Sequence, residues 1–175
     1  MRSRVHRLAV ALLVCAVGSA RSAAPENEVP AVWKARELSL DYTGFTSRYS
    51  CEGLRNKVEQ ALLALGARRD LDVTPYPCSI TRLERIPSVQ IKVSTLEPVA
   101  AAPAQDAVQA HWKTVQLAGI NKLDAGDCEL AEQIKRDILP LFTTRNLKSR
   151  LNCMAFQQPV GMIVLTVDVL VTGKD

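Results

Sequence analysis

Apolar residues recur along this chain with two different periods, and the switches between them mark its elements. From 51 to 65, Leu54, Val58, Ala61, Leu62 and Leu65 share one helical face. Ser50 ahead of that run, Glu52 in its first turn and Gly66 behind it are the residue types that start and stop a helix. VQIKVSTL (89–96) alternates, as a half-buried strand does. MIVLTVDVLV (162–171) puts Ile163, Leu165, Val167, Val169 and Val171 on one face and a mixture on the other, which predicts a central strand. Strands are also expected near 34–43 and 112–119. A second helix is expected from Cys128, capped by Asp127 and stopped or kinked by Pro140 near Ile138 or Leu139.

These elements fall into two sets. AVWKARELSL (31–40) matches AHWKTVQLAG (110–119), aligning Trp33 with Trp112. Cys51 and Glu52 match Cys128 and Glu129, and Leu54, Val58, Leu62 and Leu65 match Leu130, Ile134, Ile138 and Leu141. Arg69, Asp70 and Leu71 match Arg145, Asn146 and Leu147; Cys78 matches Cys153, and Pro87 matches Pro159. An ordered series of this kind predicts an internal duplication of a βαββ unit, spanning 31–96 and 110–172 and joined by the Ala/Pro-rich linker 97–109. About 70 residues is marginal for an independent core. The expectation is therefore one α+β domain over 25–175, an antiparallel sheet with two helices on one face and two disulfides.

Residues 1–24 read differently. Arg2, Arg4 and Arg7 precede a 13-residue apolar stretch, Leu8 to Ala20, and small residues follow, the pattern of a signal peptide. Thirteen residues rise only about 20 Å as a helix, short for a membrane span. A lipoprotein with Cys15 as the lipidated residue is the alternative, weakened by Val14 where a small residue is expected. Cleavage changes the electrostatics. Four of the 22 basic residues and none of the 18 acidic ones lie in 1–24, leaving 18 of each. A neutral chain gives no electrostatic case for nucleic acid or an anionic membrane surface.

Export also decides how the cysteines read. Cys51, Cys78, Cys128 and Cys153 are an even set in an exported chain, hence a disulfide framework. Because each half places one cysteine at its helix start and one after its next strand, the pairs are Cys51–Cys78 and Cys128–Cys153. Each contributes about 3–4 kcal/mol in the chain-entropy account. There is no Cys-x-x-Cys, no closely spaced ligand pair, and His111 is the only histidine after residue 24, so neither a reactive thiol, a metal site nor a cofactor is implied.

Catalytic constellations are scarce. His111 reads as a surface histidine, and no nucleophile elbow or Gly-rich phosphate loop is present. Asp41-Tyr42-Thr43-Gly44 is a broken aspartic-protease triplet. Asp124, Asp127 and Glu129 could hold calcium, but their spacing fits no EF-hand loop and Asp127 is better explained as an N-cap. By alternation Trp33 and Trp112 lie on the strand face opposite the leucines, which makes them the candidate binding residues. Tyr42, Phe45 and Tyr49 are read as packing the strand–helix connection.

The stretch DYTGFTSRYSCEGLRNKVEQALLALGARRDL, with its later cysteines, resembles a family of exported proteobacterial proteins of unknown function. That resemblance implies an envelope location and no activity. The βαββ layout resembles small interaction modules of bacterial envelopes. The expectation is a non-enzymatic periplasmic or secreted module binding an envelope protein or other envelope component. The alternative is a small inhibitor of a secreted or envelope enzyme, presenting 43–48 or 143–145. Non-reducing peptide mapping is expected to return Cys51 joined to Cys78 and Cys128 to Cys153. Cys51 joined to Cys128 or to Cys153 would overturn the arrangement.

Overall fold

A computed structural model describes residues 28–76, 86–99, 106–118, 123–157 and 163–173. The fold is α+β. Its elements run β1 (Glu28–Asp41), α1 (Cys51–Ala64), β2 (Asp72–Pro75), β3 (Ser88–Pro98), β4 (Val108–Gln116), α2 (Cys128–Gln133), β5 (Thr144–Arg150) and β6 (Val164–Thr172). All six strands join one antiparallel sheet in the order β2-β3-β1-β4-β6-β5. Read inward from either edge, this order meets a short strand, then a closing strand, then an opening strand. The two opening strands meet in the middle over only four residue pairs, Glu28↔His111 to Ala31↔Val108. Pro30 is tolerated there because it lies just beyond the ladder to β3, where its carbonyl accepts the Val99 N–H at 3.0 Å.

Both helices cover the same sheet face. Leu54, Val58 and Leu62 of α1, with Leu130 and Ala131 of α2, bury against Leu40, Ile91, Val115, Leu165, Val167 and Val169. The alternation in β3 and β6 is thus realised as expected: Ile163, Leu165, Val167 and Val169 all face the core. Alternation sends Ala31, Leu96, Ala110 and Leu170 to the opposite face. There they form a second, smaller buried cluster with Val29, Trp33, Val108 and Trp112 packed around it.

Helix α1 follows its sequence signals closely. Ser50 Oγ accepts the Gly53 N–H at 3.1 Å. At the other end the Ala67 N–H reaches the Leu62 carbonyl and the Gly66 N–H reaches that of Leu63, a Schellman closure with Gly66 at φ +86°. The second helix departs from expectation in two ways. Asp127 does not cap it: the capping side chain is Asp124, which accepts the Gly126 N–H at 2.7 Å and opens a short 3-10 turn over Ala125–Asp127. After Gln133 the helix widens to a π-type turn, Ile134–Ile138, and ends in a 3-10 turn, Leu139–Leu141. Pro140 explains the widening. Its ring collides with the carbonyl four residues back and its N–H is missing, so the Leu139 N–H bonds five residues back to Ile134.

Other boundaries also move. β1 starts at Glu28 rather than near 34, β4 starts at Val108 rather than 112, and residues 97–98 and 108–109 of the expected linker belong to strands. Arg145–Leu147 lie inside β5, where the register shifts between Arg145 and Lys148 and Asn146 takes φ +53°. Cys128 and Cys153 are bonded, with Cα atoms 5.7 Å apart. Cys51 is disulfide-bonded too, but its expected partner Cys78 lies outside the described residues, as do Cys15 and the whole signal-like segment.

Both free edges of the sheet are guarded. β2 is four residues long and ends in Pro75, and β5 carries a bulge and three basic residues.

A Cβ on Gly66 would stand 2.8 Å from Val171 Cγ1 and 2.9 Å from the Leu170 carbonyl, besides the cost of its positive φ. Gly66→Ala is expected to lower stability by about 2–3 kcal/mol. Gly173→Ala, also at φ +91° but in open space, is expected to cost about 1 kcal/mol. Urea denaturation measures both; equal losses would show that the close approach at Gly66 is immaterial.

Candidate interaction surface

The connection from β1 to α1 carries three aromatic side chains, Tyr42, Phe45 and Tyr49. Tyr42 and Tyr49, at its two ends, are 2% and 9% exposed and meet edge to face with centroids 4.7 Å apart. Between them Phe45 is 61% exposed. The sequence reading that all three pack inward therefore holds for the tyrosines and fails for Phe45. The reason is a residue from the other half. Glu129 Oε2 accepts the N–H groups of Phe45 and Thr46, each at 2.8 Å, and the Tyr42 hydroxyl at 3.4 Å. Those bonds turn the backbone inward and the Phe45 ring outward. Ser47 Oγ adds a bond to the Gly126 carbonyl at 2.6 Å, and the Tyr42 hydroxyl donates to the Ser47 carbonyl at 3.0 Å. Gly44 leaves room for this: a Cβ there would collide with the Tyr42 hydroxyl and the Glu129 carboxylate.

A second aromatic comes to meet the first. After Cys153 the chain makes a tight turn, with the Gln157 N–H on the Met154 carbonyl at 3.1 Å and Phe156 at its third position. Phe156 has φ +65°, where glycine or asparagine is the ordinary occupant and a bulky side chain costs about 1–2 kcal/mol. Its ring is 77% exposed and lies 5.4 Å from that of Phe45. Thr46 Oγ1 ties the loop to the Met154 carbonyl at 3.3 Å, and the Cys128–Cys153 disulfide fixes the chain one residue before the turn. Ile86, 52% exposed, lines the same groove as the two rings. Met154 and Tyr76 are also more than half exposed, and the Tyr76 N–H bonds to Ser88 beside Ile86. Five of the seven exposed large apolar side chains among the described residues therefore gather at one end of the molecule. None of Phe156, Met154, Ile86 or Tyr76 carries a sequence signal, and Phe156 sits where turn chemistry expects another residue.

Beneath this end is the buried Asp127. Its carboxylate takes the Tyr49 hydroxyl on one oxygen, and on the other Lys57 Nζ at 2.7 Å and the Asp124 N–H at 3.0 Å. Burial, then the hydrogen bond to Asp127 and its charge, push the Tyr49 phenol well above the ordinary tyrosine range. Burial, then Glu129 through charge and hydrogen bond, do the same for Tyr42. Both phenols stay neutral, so neither is a base or nucleophile near neutral pH. Asp124, Asp127 and Glu129 spend their oxygens on three separate sets of donors, and no cluster suited to a metal ion occurs among the described residues.

The tryptophans lie elsewhere, half-buried on the face away from the helices. Each has an arginine over its ring: Arg68 at 5.9 Å from Trp33 and Arg145 at 4.2 Å from Trp112. Arg145 also reaches Asp168, whose carboxyl is held below the usual range by hydrogen bonds from Thr114 and Asn146 and by that arginine. Trp33 and Trp112 are thus brought onto one face, packed part-buried around the second cluster, and Trp33 also lines a groove of about 720 Å³ with Arg68, Arg69 and His111. His111 is half-buried within β4, opposite Glu28. Arg69 is exposed; Arg82 and Arg85 lie outside the described residues.

No protein-family model, curated protein or solved structure matches this chain.

Removing the Asp127 carboxylate would strand the Tyr49 hydroxyl, the Lys57 ammonium and the Asp124 N–H together, so Asp127→Ala is expected to cost about 3 kcal/mol in urea denaturation. The raised tyrosines set a pH limit. Their folded values exceed the unfolded one, so their contribution is complete below about pH 10 and is lost as pH rises beyond it, where the unfolded chain ionises first. In an alkaline titration, two phenolate equivalents are expected only with loss of the far-UV signal. Their appearance in the folded protein would contradict the Asp127 and Glu129 geometry.

Proposed function

We propose that this protein is a non-enzymatic interaction module of the cell envelope, periplasmic or secreted, that binds a protein partner through its Phe45–Phe156 end. The observation that carries this is the pair of exposed rings held on anchored backbone. Monomeric surfaces seldom gather several exposed large apolar side chains, and aromatic anchors dominate binding energy where they do. Anchoring by Glu129 and the disulfide lowers the ordering cost of contact, which suits a shaped protein pocket better than a fluid lipid surface. No helix among the described residues is long and apolar enough to cross a membrane. The signal-like segment supports export, and the Cys128–Cys153 bond is compatible with an oxidising compartment.

We also propose that the chain is a duplicated βαββ unit. The strand order supports it by reading alike from both edges. The register does too: an offset of 79, taken from Trp33 and Trp112, makes Pro30 the counterpart of Gln109, and these two face each other inside the β1–β4 pairing. Trp33 stands opposite Leu96 and Trp112 opposite Leu170, each under an arginine. The helix ends cross over: residues after α1 meet Leu170, and Thr143 bonds the Leu96 carbonyl at 3.0 Å.

The inhibitor alternative draws on the same anchored 43–48 loop. It is weakened by the Phe45 and Thr46 N–H groups being taken by Glu129, since a substrate-like loop offers such groups to the enzyme. The other candidate loop does not exist as one, because Thr144 and Arg145 belong to β5.

In-cell cross-linking of the envelope fraction tests the reading with wild type, Phe45→Ser/Phe156→Gly and Trp33→Ala/Trp112→Ala. A dominant partner lost only with the phenylalanine pair is expected. Loss only with the tryptophan pair would move the site to the opposite face, and no partner in any sample would overturn it.

A further inference from the structure

The groove beside Phe45 has a composition that narrows its ligand. Its volume is about 660 Å³, within the range of sites that take a few residues of chain. Phe45, Phe156, Ile86 and Pro87 supply its apolar walls, while Tyr42 and Tyr49 are held neutral. Arg48 is the one charged side chain among the described residues that line it. Two buried or part-buried acids beneath the groove are already engaged: Glu129 by the loop N–H groups, Asp127 by Lys57 and Tyr49. Arg48 is exposed and makes no ion pair or hydrogen bond with another described residue. An exposed guanidinium beside an aromatic and proline-walled groove is complementary to an apolar segment that carries a negative charge.

We propose that this groove receives the apolar C-terminal end of a partner polypeptide, with its terminal carboxylate on Arg48. The proposal rests on the interaction role assigned above to the Phe45–Phe156 end. Open aromatic walls suit an extended peptide, whose rings and prolines stack on them, better than an acyl chain, which needs enclosure to leave water. A chain terminus also suits Arg48 itself, because a single carboxylate takes both arms of a guanidinium.

Fluorescence polarisation of the intact protein tests this with one probe in two forms. The probe is a labelled hexapeptide of alternating proline and phenylalanine, either with a free C-terminal carboxylate or as the C-terminal amide. The free acid is expected to bind about tenfold more tightly than the amide, the scale of one charge-assisted hydrogen-bonded pair. Arg48→Gln is expected to abolish that difference, and Phe156→Gly, which relieves its turn, to weaken both forms. Equal binding of acid and amide to wild type would overturn the terminal-carboxylate assignment. Binding of decanoate without either peptide would overturn the polypeptide, and so would self-association through this end that the peptide fails to reverse. If the peptides fail while Phe45→Ser/Phe156→Gly still loses its cross-linked partner, this inference falls and the interaction role stands.

Discussion

The buried carboxylate of Asp127 is the contact on which the arrangement of this molecule turns. Taking an ionised carboxylate out of water is costly unless its lone pairs are filled, and here they are filled from three directions. Lys57 comes from the middle of α1, Tyr49 from the residues just ahead of it, and the Asp124 N–H from the turn leading into α2. The two helices are therefore docked by a polar contact in a largely apolar layer. Apolar packing alone tolerates sliding; this contact fixes the two helix starts relative to each other. Once fixed, Glu129, two residues further along, is in reach of the 42–50 loop and determines which way Phe45 points.

Much of the scaffold was legible because its signals are local. Ser50 and Gly66 bound α1, alternation in 89–96 and 162–171 defines two strands, and the expected pair Cys128–Cys153 is bonded. Pro140 announces the trouble in the second helix, though the π-type widening before it depends on which carbonyl the Leu139 N–H can still reach. Asp127 shows where local reading fails. Its residue type and position suit a cap of the helix, yet besides the Asp124 N–H its carboxylate takes partners 70 and 78 residues away, which no local window contains. A nearer aspartate, Asp124, takes the capping role instead.

The surface was much less legible. Trp33 and Trp112 drew attention as the rarest large side chains, and alternation places them on the face away from the helices, where each packs part-buried on a second cluster with an arginine over its ring. Phe45 and Phe156 are exposed for reasons no short window contains. One depends on Glu129 of the other half, and the other on a dihedral that its residue type disfavours. The groove they share is likewise assembled from 42–49, 86–87 and 156, three stretches with no common motif.

That unfavourable dihedral separates two kinds of laboratory selection. A library randomised at position 156 and sorted for thermal survival would be drawn toward glycine or asparagine, which occupy φ +65° without penalty and also remove an exposed ring. Under the interaction role proposed above, the same library sorted for capture of a partner would be drawn back to an aromatic residue. Position 156 is thus a place where improving the fold and keeping the surface pull in opposite directions, and thermostability alone would be a misleading guide to fitness there.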